Sequence, residues 1–186
     1  MTAVAVPDFQ TRDGPAGACL PPTLVVCPND GAAMPAPSNI FESTAAYFVL
    51  ANVSLKNADR NAVSVGGLAC PSDVSAVFDH VRFENSGESG LVICGSGSIG
   101  VQVAESAFVG NANGITVVGG TNASGIQVLE SSFVETSGFA VDNDAATGTV
   151  QAEDNWWGCN AGANGTDAGC QATYGAVDSD PWVADY

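Results

Sequence analysis

The chain has 186 residues, 20 acidic against four Lys plus Arg side chains, and a formal net charge of −16. That sign excludes a binder of nucleic-acid phosphates, which needs clustered bases. A hydrophobic fraction of 46% excludes a disordered chain, 22 glycines argue against a helical one, and no apolar run is long enough to span a bilayer.

The first part of the chain, residues 1–46, carries little periodicity. The segment "PTLVVC" reads as one strand, and the prolines around it forbid regular helix. Residues 1–46 are therefore expected to form an irregular cap or first coil, pinned by a Cys19–Cys27 bridge, or an arm packed on a neighbouring subunit. The opening "MTAVAVPDFQ" has no apolar signal core, so secretion would require a leader removed ahead of it or an added Met1.

From Tyr47 onward the chain repeats. The segments "YFVLANVSLKN", "AVFDHVRFEN", "VQVAESAFVGN", "IQVLESSFVET" and "VQAEDNWWG" fall into register on Leu55, Phe83, Phe108, Phe133 and Trp157, a nearly constant step. Within a copy, apolar residues alternate and then change phase once: Ala76/Phe78 then Val81/Phe83, Val101/Val103 then Ser106/Phe108, Ile126/Val128 then Ser131/Phe133. Alternation means strand, and a phase change means a bend, because one straight strand cannot turn both sets inward. A third pair follows a turn rich in glycine and asparagine: Val63/Val65, Leu91/Ile93, Ile115/Val117 and Phe139/Val141. Three short strands per period of about 25 residues predict an all-β, parallel β-helix of about four to five coils over residues 47–158. A β-sandwich is the alternative, but it would not explain the constant step. In the last copy, Trp157 takes the inward place of Phe133 and Trp156 points outward, where the tail and Trp182 would cover it.

The closing stretch "DNWWGCNAGANGTDAGC", followed by "YGAVDSDPWV", resembles the end of extracellular right-handed parallel β-helix repeat proteins. In that family an N-W-W-G stretch ends the repeats and a P-W pair follows further along the tail; the resemblance covers residues 47–186. It implies a right-handed β-helix and an extracellular or cell-surface location more than an activity. The family includes adhesins, surface-layer and fibre proteins beside polysaccharide lyases and epimerases. This chain departs from its enzymes in having far fewer coils.

The six cysteines allow three disulfides and so predict an oxidising compartment. Spacing pairs Cys19 with Cys27, Cys159 with Cys170 across the loop of a tail spanning residues 159–186, and Cys70 with Cys94. The last two lie one coil apart, and coils stack at about 4.8 Å, within disulfide reach. Sequons at Asn52, Asn122 and Asn164 are candidate glycan acceptors.

Candidate chemistry is sparse. The bend carries His80, Glu105, Glu130 and Asp154 in one file. Carboxylates stacked about 5 Å apart repel by about 1 kcal/mol in water and about 4 at a dielectric of 20. Such a stripe is either plainly solvated or holds a calcium-like cation at Glu105, Glu130 and Asp154. The stretch "VDNDAATG" offers Asp142 and Asp144 to calcium, or is a simple turn. Ser106, Ser131 and Asn155 form a buried polar ladder of structural use. Paired carboxylates could hydrolyse glycosidic bonds, but the few bases, Lys56, Arg12, Arg60, Arg82 and His80, do not form a cluster to neutralise a uronate, and no catalytic residue or other cofactor is assigned. The expected function is a non-enzymatic surface or structural protein, an adhesin module or a fibre subunit associating with its own copies or other surface proteins. The alternative is a carbohydrate-active or carbohydrate-binding domain that stacks sugars on Trp156, Trp182 or Tyr174.

Overall fold

Each copy of the repeat becomes one turn of a parallel β-solenoid, in a computed structural model that describes residues 39–43, 47–67, 70, 73–144 and 147–184. The expected Cys19–Cys27 bridge, and the reading of the chain ahead of Asn39, lie outside the described residues. The strands are Phe41–Ser43 (β1), Phe48–Lys56 (β2), Val63–Val65 (β3), Val74–Glu84 (β4), Ser89–Ile93 (β5), Ile99–Ala104 (β6), Ala107–Val109 (β7) and Asn113–Val117 (β8). After a short 3-10 turn at Ala123–Gly125 come Ile126–Leu129 (β9), Ser132–Val134 (β10), Phe139–Asn143 (β11), Val150–Gln151 (β12), Ala172–Gly175 (β13) and Val177–Asp178 (β14). They form a six-stranded sheet, β1-β3-β5-β8-β11-β13, and an eight-stranded sheet holding the others. Every pairing between them is parallel, over about five turns.

The phase change in the sequence is a corner in the larger sheet. Asn52, His80, Glu105, Glu130 and Asp154 occupy it with φ of 56°, 53°, 47°, 49° and 57°. A left-handed residue costs a side-chain-bearing backbone about 1–2 kcal/mol, offset here by apolar pairs that reach the core on both arms. In β2 and β4 the strand runs through the corner as one bent element; later turns divide there into β6/β7 and β9/β10. The corner also frees a backbone N–H from its sheet partner. Val81 N–H donates to Ser106 Oγ (3.1 Å), Ser106 N–H to Ser131 Oγ (3.1 Å) and Ser131 N–H to Asn155 Oδ1 (2.8 Å). The predicted polar ladder is this set of bonds, since buried donors must be paired.

The aromatic file stands as the register requires. Leu55 pairs with Phe83 across β2 and β4. Phe83–Phe108, Phe108–Phe133 and Phe133–Trp157 stack with centroids 4.6, 4.8 and 5.0 Å apart and interplanar angles of 7°, 8° and 7°. All four rings are fully buried, each contributing about 2–3 kcal/mol of burial. Glycines make room for them. A Cβ on Gly90 would lie 2.9 Å from Phe108, and one on Gly114 would lie 2.4 Å from the Ala140 carbonyl and 2.8 Å from Phe133.

Two details differ from the sequence reading. The third apolar pair of the fourth copy is not Phe139/Val141: Val141 pairs with Ile115 and Asn143 with Val117. Phe139 sits half-buried at the strand start, its ring 5.3 Å from Tyr174. Asn143 goes inside because its Nδ2 donates to the carbonyls of Gly148 (3.2 Å) and Ala176 (2.8 Å), which satisfies half of its amide. The tail, read as loop and cap, contributes rungs of its own: β13 pairs with β11, and β14 with β12. At the other end, β1 pairs with β3, so stacking begins at Phe41. Cys70–Cys94 and Cys159–Cys170 are bridged, each with Cα atoms 4.8 Å apart, the first across adjacent turns.

Candidate functional site

Among the described residues, the corner file is the most chemically loaded surface. A left-handed residue at each turn aims its side chain outward, and rungs follow at about 4.8 Å, so the file brings titratable groups together without any loop. His80 makes the closest contacts. Its Nδ1 lies 2.9 Å from Asp79 Oδ1 and its Nε2 2.9 Å from Glu105 Oε2. The three side chains are about half exposed. A hydrogen bond to Asp79, followed by the Glu105 charge, raises the His80 pKa above its ordinary 6.5.

Asp79 is an addition to the group expected from sequence. Period-2 reading puts neighbours 79 and 80 on opposite faces, but the left-handed corner brings the imidazole beside the carboxylate of its predecessor. The signal available was an acid directly before the only histidine of the chain. Glu105, Glu130 and Asp154 occupy the same file, as expected. Asp142 and Asp144 do not join them: they lie at the end of β11, in the other sheet. Burial, then the neighbouring charge of Asp144, raises the Asp142 carboxyl pKa.

Among the described residues, Lys56, Arg60 and Arg82 are held by acids rather than free for a ligand. Lys56 Nζ and Arg82 Nε reach the same Glu84 carboxylate at 3.0 and 2.7 Å, and Arg60 pairs with Glu88 at 3.0 Å. Glu84 is consequently lowered in pKa, by Arg82 first and Lys56 second. A uronate would have to compete with each of these pairs.

The aromatic candidates are dispersed. Trp156 is half-buried and pairs with Ser132. Trp182 bridges to Asn155, and its ring covers Gly162, where a Cβ would lie 2.6 Å away; its Nε1 donates to Asn160 O at 3.3 Å. Thus one face of Trp182 rests on the Cys159–Cys170 loop. Tyr174 is on the six-stranded sheet, 51% exposed, in register with Asp142. Of the sequons, Asn52 is in the corner file, Asn122 accepts from Ser124 N–H, and Asn164 bonds both polar atoms of its amide to Thr173. All three are exposed.

Comparison with protein-family models, with curated proteins and with solved structures found no match. No helix among the described residues is long and apolar enough to cross a membrane. Two disulfides fit a non-reducing environment.

Proposed function

We propose that the chain is a non-enzymatic structural module of an extracellular layer or cell surface that stacks end to end with copies of itself. The observation that carries the reading is the strand edge at each end of the described turns. Among the described residues, β1 and β2 have a strand partner on one side only, and so do β13 and β14. Unpaired edges of this kind recruit another strand unless something covers them. The two edges are different surfaces, β1 and β2 at one end and β13 and β14 at the other, so a contact between them is heterologous and repeats into a filament.

Edge geometry supplies the test. Val150 N–H donates to Ala176 O and Ala152 N–H to Asp178 O, on either side of Val177. Strand alternation therefore points the Val177 N–H and C=O to the open side. Negative-stain microscopy and sedimentation of the disulfide-intact chain are expected to show filaments or linear oligomers. Val177→Pro, which removes an outward donor, should leave a monomer of unchanged far-UV spectrum. A wild-type chain that remains monomeric at millimolar concentration refutes the reading.

A carbohydrate-binding role has one specific observation in its favour, the exposed Tyr174 ring beside Phe139. Glycan-array binding lost on Tyr174→Ala, but kept in Val177→Pro, would decide for it.

A further inference from the structure

The corner file is not uniform. Four of its five positions carry Asn or acids, and the remaining one is His80, the single histidine of the chain. We propose that His80 and Glu105, with Asp79 behind the imidazole, bind a borderline divalent transition-metal ion of the Zn²⁺ or Cu²⁺ type. The donor atoms of the three residues lie within 4.8 Å of one another.

Geometry is the main support. His80 Nε2 and Glu105 Oε2 are 2.9 Å apart. Metal–nitrogen and metal–oxygen bonds of about 2.0–2.2 Å span about 2.9 Å when they meet at a right angle and about 3.4 Å at a tetrahedral angle. The ion therefore takes the place of the shared proton with shifts of at most about half an ångström. Asp79 Oδ1 accepts the Nδ1–H at 2.9 Å, which leaves the lone pair on Nε2. This is the carboxylate–histidine–metal arrangement that fixes ring orientation and increases ligand basicity. Both ligands stand on adjacent rungs of one sheet, since β4 and β6 pair up to Asp79 and Ala104. Glu130 follows in the file but stands outside this group of donor atoms, so water completes the coordination. An imidazole nitrogen selects against calcium, which takes oxygen donors, and in favour of zinc or copper. The net charge of −16 attracts any cation to the surface; the imidazole determines which one stays.

The competing account is a bare ion-pair triad, with a protonated His80 held between two carboxylates and no affinity for metal. Because the chain has one histidine, its imidazole signals in a proton–carbon NMR spectrum are unambiguous. Zinc titrated into the full, disulfide-intact chain is expected to move them saturably at one equivalent. Glu105→Gln and Asp79→Asn should each weaken binding by about tenfold or more, with unchanged melting temperature, while Lys56→Ala changes nothing. His80→Gln should remove the one-equivalent step from a calorimetric titration. The proposal is overturned if the imidazole signals do not move at millimolar zinc. It is equally overturned if Glu105→Gln binds as wild type, or if equimolar calcium displaces zinc.

Discussion

Truncating Phe108 to alanine tests the stacked interior most directly. The ring is fully buried and lies between Phe83 and Phe133, at 4.6 and 4.8 Å and within 8° of parallel to both. Buried Phe→Ala substitutions cost about 3–5 kcal/mol in transfer and cavity terms. Loss of two stacked contacts, each about 0.5–1.5 kcal/mol, puts this site at the upper end, about 5 kcal/mol. In a chain of this length that corresponds to a fall in melting temperature of about 10–20 °C. Phe48 is the control: it is partly buried and meets Phe78 edge-on at 5.6 Å. Its alanine variant should lose about half as much. Urea unfolding followed by tryptophan fluorescence, with disulfides intact, measures both. If Phe108→Ala costs less than the bottom of the range for a buried ring, or no more than Phe48→Ala, the file is not what holds the turns together.

Three other outcomes are expected. Removing Cys70–Cys94, which closes 24 residues, should cost about 3.5 kcal/mol, against about 2.8 for the 11-residue Cys159–Cys170 loop, as read from paired Cys→Ser variants in urea. Asn155→Ala strands the buried Ser131 N–H and removes the amide that bonds the carbonyls of Val128, Ala152 and Glu153; it should lose about 2–4 kcal/mol, and a negligible loss would contradict the ladder. His80 should titrate by NMR above 6.5, and Asp79→Asn should lower the midpoint more than Glu105→Gln does, following the order of causes. Because the folded pKa is raised, any stability it contributes is present below pH 6.5 and lost as pH rises through the folded midpoint.

What the sequence disclosed, and what it concealed, follows from the repeat. Phe83, Phe108 and Phe133 share a step and a residue type, so their stacking could be read directly. The corner was legible because the apolar phase reverses there. Asn143 was hidden because a polar residue inside a turn looks like loop until its two carbonyl partners, Gly148 and Ala176, are known. The rungs β13 and β14 were hidden because their residues, such as Tyr174 and Asp178, remain exposed and leave no apolar alternation. The Asp79–His80–Glu105 group required two things no periodicity supplies: a left-handed backbone at 80 and the rotamer that turns its ring toward both acids.

The Ser106, Ser131 and Asn155 bonds have a direction in time as well as in space. Each accepts from the corner of the turn before it. As the chain leaves the ribosome, N-terminus first, a corner amide therefore waits for its acceptor until a whole further period has emerged. Maturation of each winding lags synthesis by one winding, and a chain released before Asn155 would end with its newest corner still hydrated.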